Sequence, residues 1–234
     1  MPKEKQPETR RERTMSWLRS FVVAFALFLV IRTFLVGTFH IISGSMEGTL
    51  QVGDALFVTK ALYGAEIPLT DKHLPGFRAP RRLDVVVFDS AEEPGLAVVK
   101  RLVGEPGDTI EMRNNFLFVN GDSLREPYAV RLDDSYDRAD PKMFWQRRHF
   151  AGDSRETYRP SLHNWGPIVV PADSFFAMGD NRDESYDSRY WGFLGKDRIE
   201  GKAVLVYYSF DKDGILPLPL ITAIRWGRLF TILR

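Results

Sequence analysis

An uninterrupted run of eleven apolar residues near the N-terminus is the feature that most limits how this chain can fold. The run covers 21–31, and extending it to 17–34 gives 18 mostly apolar residues. A helix that rises 1.5 Å per residue would span about 27 Å over those 18 residues, close to the ~30 Å hydrocarbon core of a bilayer. Arg19 and Arg32 lie near opposite ends, where long side chains reach the interface. The sequence therefore predicts a transmembrane anchor over 17–36.

The residues around this run predict its orientation. The first 20 residues have three more basic than acidic side chains, so the tail 1–16 is expected to stay cytoplasmic and the rest of the chain to lie outside. A cleaved signal peptide is the first alternative, but only the weak small-residue site Val36-Gly37-Thr38 follows the run. The second alternative, a buried core helix, would need a larger protein around it.

The C-terminal segment 213–234 is also basic. Within it, 220–234 has three arginines among apolar residues and no acidic residue. Such a segment lies in a membrane interface or packs as a terminal helix on the domain, and the sequence leaves both open. A second full span is disfavoured because Arg225 and Arg228 fall in the middle.

The middle of the chain predicts short strands separated by turns. Asn114-Asn115 and Asn120-Gly121 are typical of hairpin turns, so Thr109–Arg113 is expected to pair with Phe116–Val119. We therefore predict an all-β fold with an antiparallel β core at 37–112 and 166–212, and a β-rich cap insertion at 113–165. The apolar runs behind this prediction are 55–58, 85–88, 97–103, 116–119, 175–178 and 203–208.

Two polar side chains next to apolar segments are candidates for chemistry. Ser45 follows Arg32 by thirteen residues, at most about 43 Å of extended chain, so it stays near the bilayer surface. A Ser/Gly turn is the simpler interpretation of that segment. Lys100 shares a strand face with Val98 and Leu102, and desolvation there would lower its pKa, as a lysine general base requires. An edge-strand lysine that reaches water is the alternative.

Several other site types are disfavoured. The acidic loop 179–192 does not fit a calcium-binding EF-hand, because Arg182 takes a ligand position and Ser185 the turn glycine; its mixed Asp and Arg suit an ion-pair network. No zinc-protease, nucleophile-elbow or phosphate-loop motif is present. The chain has no cysteine, and its net charge of +1 argues against nucleic acid as a partner. No metal or cofactor is predicted.

Taken together, these segments resemble the bacterial type I signal peptidases, the leader peptidase family. The resemblance covers about 17–210 apart from the insertion, and four motifs in order make it specific. The matching motifs are Ser43-Gly44-Ser45-Met46 with Gly53-Asp54, Lys100-Arg101 with Gly104-x-Pro106-Gly107-Asp108, Gly179-Asp180-Asn181-Arg182-Asp183, and Ser185-x-Asp187-Ser188-Arg189-x-x-Gly192.

The resemblance implies a serine–lysine dyad, with Ser45 as nucleophile and Lys100 as general base. It also implies an oxyanion hole from the Ser45 N–H and the Ser43 hydroxyl. Ser185 matches the hydroxyl that orients the lysine. The residues that match a supporting network are Asp180, Asp187, Arg189 and Arg101. The family often has proline where this chain has Gly48; a glycine loosens the loop, and we expect activity to survive.

The implied substrates are preproteins with signal peptides, cut after small residues at the −1 and −3 positions. The implied location is the bacterial inner membrane, with a single span; the bilayer is an expected partner and the export machinery a further candidate. Two other functions share some of these features. A self-cleaving regulator with a Ser-Lys dyad would share the chemistry, but the predicted membrane span argues against it. A non-catalytic β scaffold tethered to the membrane would share the architecture.

Overall fold

The computed structural model describes residues 10–64, 70, 74–90, 93, 95–131, 137–214 and 219–233. Three sequence-based features fall wholly or partly outside this range. They are the first nine residues of the basic tail, residues 132–136 of the insertion, and residues 215–218 and 234 of the C-terminal segment.

The apolar run forms one long helix. Helix α1 (Arg10–Val30) continues into a single π-helical turn, Ile31–Leu35, and the chain then enters the first strand at Val36. The stretch Arg13–Leu35 is long and apolar enough to cross a membrane, and none of its most apolar window is buried against the rest of the chain. This exposure excludes the buried core helix, since a core helix packs against its own domain.

The remainder is mainly antiparallel β structure, which confirms the predicted fold class. Each of the predicted apolar runs lies within, or largely within, a strand. Among the described residues the strands are β1 (Val36–His40), β2 (Asp54–Thr59), β3 (Val85–Asp89), β4 (Ala97–Gly104), β5 (Thr109–Arg113), β6 (Phe116–Val119), β7 (Asp122–Ser123), β8 (Trp165–Val169), β9 (Ser174–Met178), β10 (Leu194–Gly195), β11 (Ile199–Ser209) and β12 (Thr231–Ile232).

The strands form two sheets. The larger has the order β1-β2-β11-β3-β4-β9-β10, with β12 on β11, and the smaller has the order β7-β6-β5-β8. Strand β4 therefore lies between β3 and β9 and is not an edge strand. Its neighbour β3 is buried along most of its length, because each residue from Val85 to Phe88 is less than one tenth exposed. The residues of β4 from Lys100 onward are buried, whereas Ala97 at the start of the strand is exposed.

The insertion contains a hairpin and a helix. Strands β5 and β6 pair as predicted, with Arg113 opposite Phe116. A 3-10 helix, Pro141–His149, is the longest element of the insertion and was not predicted from its periodicity. Its start nevertheless has a local signal, because the Asp140 side chain accepts a hydrogen bond from the Lys142 N–H at 2.9 Å and proline occupies the first helical position.

The C-terminal segment packs on the domain and also presents apolar side chains to the outside. A short helix (Pro219–Thr222) and a 3-10 turn (Trp226–Arg228) precede β12, and Leu233 is buried. The Arg228 guanidinium pairs with the buried Asp54 carboxylate and donates to the Thr49 carbonyl at 3.0 Å. The exposed large apolar residues here are Leu220, Ile221, Trp226, Phe230 and Ile232.

Candidate active site

A tight turn presents Ser45. Strand β1 leads from the anchor to a 3-10 turn, Gly44–Met46, closed by a 2.9 Å hydrogen bond from the Glu47 N–H to the Gly44 carbonyl. Met46 and Leu50 are buried in a core cluster with side chains of β2, β3 and β11. These two apolar side chains hold the turn against the core, and Ser45, which directly precedes Met46, stays partly exposed.

Lys100 meets Ser45 from strand β4. Its Nζ lies 2.6 Å from the Ser45 Oγ and 3.2 Å from the Val99 carbonyl oxygen. The residue is only 3% exposed. Burial lowers the pKa of Lys100 to about 8, and the nearby Arg189 also lowers it, while Asp187 and Asp180 act in the opposite direction. A larger fraction of the amine is therefore neutral near physiological pH than for a lysine in water, although the protonated form still predominates.

A cleft of about 160 Å³ opens beside this pair. Ser43, Ser45 and Lys100 all line it, so the candidate oxyanion hydroxyl and the candidate dyad share one space. Ser43 is exposed, and its side chain makes no capping hydrogen bond to the turn that follows. The remaining lining residues are His40, Ile41, Ile42, Met46, Leu96, Ala97, Val98 and Val99.

Ser185 lies beneath residues 44–50, the turn that carries the candidate nucleophile Ser45 and is called the nucleophile turn below. It is 5% exposed, and its Oγ has no hydrogen-bond partner among the described residues. A Cβ atom built on Gly179 would collide with the Ser185 hydroxyl and the Ser45 carbonyl, so glycine at 179 allows these segments to touch. Whether Ser185 orients Lys100 stays a prediction, because no hydrogen bond joins the two.

Two buried ion pairs lie behind Lys100, as expected for a supporting network. The Arg101 guanidinium donates to both carboxylate oxygens of Asp180, at 2.9 and 2.7 Å. The Arg189 guanidinium donates to both oxygens of Asp187 at 2.8 Å. Burial alone would raise the pKa of Asp187, but the charge and hydrogen bonds of Arg189 outweigh it and the pKa is lowered. The Asp187 carboxylate therefore remains charged.

Three residues to which the sequence interpretation gave no individual role join this network. Arg182 is 1% exposed and donates to both oxygens of Glu126, at 3.0 and 2.6 Å. Asn181 donates from its backbone N–H to the Ser45 carbonyl at 3.2 Å and from its amide to the Gly44 carbonyl at 3.3 Å. Arg182 and Asn181 fall within a recognised motif, whereas Glu126 belongs to the insertion, where no motif indicated a role.

Gly48 has a backbone conformation that proline cannot adopt. Its φ is +103°, whereas the proline ring holds φ near −65°. A Cβ on Gly48 would lie 2.5 Å from the Tyr128 carbonyl oxygen. The glycine thus lets the insertion pack closely on the nucleophile turn, rather than loosening the loop as the sequence suggested.

Among the described residues, no group of three or more His, Asp or Glu side chains is placed to hold a metal ion.

Comparisons with known proteins agree with these features. A family model described as signal peptidase, peptidase S26, matches residues 14–208. The chain is 36% identical over 214 residues to signal peptidase I of Pseudomonas fluorescens, covering 86% of this chain and 75% of that protein. It is 36% identical over 203 residues to signal peptidase I P of Bacillus subtilis subsp. natto, covering 86% and 92%. The chain therefore belongs to the signal peptidase I family of S26 peptidases.

Proposed function

We propose that this chain is a membrane-bound serine endopeptidase that removes signal peptides from exported preproteins with a Ser45–Lys100 dyad. The observation that supports the dyad best is the 2.6 Å contact between the Lys100 Nζ and the Ser45 Oγ, in a site that lowers the lysine pKa to about 8. A serine hydroxyl needs an adjacent base to become a nucleophile, and a desolvated lysine is such a base.

Acylation begins with neutral Lys100. Its amine takes the Ser45 proton as the Oγ attacks the scissile carbonyl carbon, forming a tetrahedral oxyanion and a lysine ammonium. The oxyanion accepts hydrogen bonds from the Ser45 N–H and the Ser43 hydroxyl. One preorganised donor of this kind typically contributes about 2.7–4 kcal/mol. The ammonium then protonates the leaving amine, the peptide bond breaks, and an ester joins the signal peptide to Ser45.

Deacylation repeats the cycle with water. The amine of Lys100, neutral again, takes a proton from a water molecule that attacks the ester carbonyl. When the second tetrahedral species collapses, the ammonium returns the proton to the Ser45 Oγ. Ser185 would orient Lys100 in both halves. The Arg101–Asp180 and Arg189–Asp187 pairs would hold the base in position.

The anchor would bring this site to its substrate. Strand β1 starts directly after the apolar helix and runs to the cleft, whose lining begins at His40. A signal peptide inserted in the bilayer presents its cleavage site near the outer surface, where such a tethered cleft could reach it. We place the N-terminus in the cytoplasm of a bacterial cell and the catalytic domain outside its inner membrane, with the export machinery as a candidate partner.

The proposed domain organisation follows the same division. It has a basic tail (1–16), an anchor (17–36), a catalytic core (37–112 and 166–212), a cap insertion (113–165) and a basic C-terminal segment (213–234). The smaller sheet crosses both borders of the cap, since β5 starts at Thr109 and β8 ends at Val169.

Cleavage of a preprotein in detergent tests this function. Ser45→Ala and Lys100→Met should each abolish processing while the protein stays folded, because each removes one reacting group. Ser123→Ala and Lys142→Met are matched controls at exposed positions and should process the preprotein like the unmodified enzyme. Full activity of folded Lys100→Met would contradict the dyad, and no processing by the unmodified enzyme would contradict the function.

A further inference from the structure

We propose that residues 126–131 of the insertion form a strap that positions the catalytic pair, with Tyr128 as its main positioning residue. The inference rests on the proposed function, because positioning is measured through that reaction. The strap does not line the cleft beside Ser45 and Lys100. Its contacts are instead with the groups immediately behind the two side chains.

The first contact is with the nucleophile turn. The Tyr128 carbonyl faces Gly48, three residues after Ser45, so closely that a Cβ on Gly48 would lie 2.5 Å from the oxygen. The same Cβ would lie 2.8 Å from a methyl carbon of Val130. The strap thus limits outward movement of the turn on the side away from the core.

The second contact is with the segment that carries Asp180. Val130 forms a parallel β-bridge with Asn181. Its N–H donates to the Asp180 carbonyl at 2.7 Å, and its carbonyl accepts from the Arg182 N–H at 2.9 Å. The backbone of Asn181, which donates to the Ser45 carbonyl, is therefore held between two strap hydrogen bonds.

The third contact is with the arginine next to the catalytic lysine. The Tyr128 ring lies 3.9 Å from the Arg101 guanidinium carbon, a cation–π geometry. Arg101 is 1% exposed and donates hydrogen bonds to both oxygens of the buried Asp180 carboxylate. The ring therefore covers the guanidinium and keeps water from the Arg101–Asp180 pair.

The fourth contact neutralises a buried charge. Glu126 accepts two hydrogen bonds from Arg182 and one from Arg131, at 2.8 Å. Arg182 in turn donates to the Gly179 carbonyl at 3.0 Å, directly below Ser185. The strap is thereby fixed at both ends, with Tyr128 between them.

These contacts predict an effect on turnover rather than on substrate binding. The strap fixes the segments that set the Ser45–Lys100 distance, and a misplacement of about 1 Å can cost roughly a hundredfold in rate. Because no strap residue lines the cleft, the KM should be nearly unchanged.

Preprotein cleavage by the full chain in detergent tests the strap. Tyr128→Leu, which removes the aromatic face, should lower kcat by roughly tenfold or more with KM changed less than about twofold. Tyr128→Phe is the matched control, since it keeps the ring and loses only the hydroxyl, which donates to Glu126 at 3.2 Å. It should restore kcat to within about twofold of the unmodified enzyme. The rate at which an acylating inhibitor labels Ser45 should follow kcat across the series.

The possible results distinguish a loss of the folded structure from a loss of catalytic positioning. A folded Tyr128→Leu protein with an unmodified kcat would overturn the strap while leaving the proposed function intact. Inactivity of the unmodified enzyme would instead contradict the proposed function. If Tyr128→Leu unfolds, Tyr128→Met fills a similar volume without an aromatic face and should show the same fall in kcat. Unfolding of both variants at the assay temperature would overturn the proposal, because Tyr128 would then act through global stability.

Discussion

At the scale of single residues, the environment of Lys100 decides what the site can do. A lysine in water has a pKa near 10.4 and is almost fully protonated at neutral pH. Here the side chain is 3% exposed and burial lowers its pKa to about 8. A protonated lysine can donate to the serine hydroxyl but cannot take its proton. The chemistry therefore depends on burial as much as on residue type.

This pKa predicts the pH dependence of the reaction. The rate of Ser45 acylation should rise with pH through about 8, because only the neutral amine acts as a base. Well below that value, each pH unit should lower the rate roughly tenfold. Single-turnover cleavage of a preprotein across this range measures the effect. A rate that stays flat from about pH 6 to about pH 9 would show that Lys100 is not the base.

Gly48 is a second residue that constrains the site, in this case through its backbone conformation. At φ +103° a side chain is strained, and here it would also meet the Tyr128 carbonyl. Gly121 has a φ of +89° with open space around it, so it separates the two effects.

Gly48→Ala should therefore destabilise the protein more than Gly121→Ala. Strain of this kind costs roughly 1–3 kcal/mol at either position, and the collision adds to it only at Gly48. Gly48→Pro should be worse still, since its ring forbids a positive φ. Denaturant unfolding measures the stabilities. Equal losses for the two alanine variants would show that the insertion does not press on the turn.

At the scale of elements, the C-terminal segment ties the end of the chain to the nucleophile turn. Asp54 starts strand β2 and is fully buried, and Arg228 supplies its cationic partner. The same guanidinium donates to the Thr49 carbonyl. Residues 220–233 therefore brace the base of the turn and at the same time present an exposed apolar surface.

Arg228→Ala should lower the free energy of unfolding by roughly 1–3 kcal/mol, because it leaves a buried carboxylate without its cation. Arg225→Ala is the matched comparison. Arg225 pairs with Asp211, whose side chain is 51% exposed, and water can replace much of that interaction. Urea unfolding in detergent should show the larger loss for Arg228. A loss at Arg225 that equals or exceeds it would argue against this bracing role.

At the scale of the whole molecule, the exposed apolar helix α1 and the two-sheet domain that follows it predict that the chain crosses the membrane once, with the domain outside. The chain has no cysteine, so one introduced cysteine is a unique label. A membrane-impermeant maleimide should label Ser123→Cys, at an exposed position in β7, from outside intact spheroplasts. It should label Thr9→Cys, in the basic tail, only after the membrane is permeabilised.

The reverse labelling pattern would invert the proposed orientation. Labelling of both positions from outside would show that the anchor does not span the membrane. Preprotein cleavage by each cysteine variant serves as the control that the protein is intact.

Much of the fold was predictable from local patterns. The strand positions and the β5–β6 pairing follow from short apolar runs and Asn/Gly turns, which act between neighbours. The 3-10 helix Pro141–His149 was missed because its apolar residues lack a helical period, although Asp140 and Pro141 mark its start. The candidate dyad was recognised from motif order. Glu126 and Tyr128 were not, since residues of an unmatched insertion have no local sign of what they touch.

The sequence by itself determined the apolar N-terminal helix, the strands and the set of candidate reacting groups, because each depends on residue type and short-range period. Only the tertiary structure decided that Ser45 and Lys100, 55 residues apart, meet at 2.6 Å. It also decided that the insertion packs on the turn and that Arg228 reaches Asp54. The physical reason is that contact distance and desolvation depend on how distant segments return to one place. No local pattern contains that information.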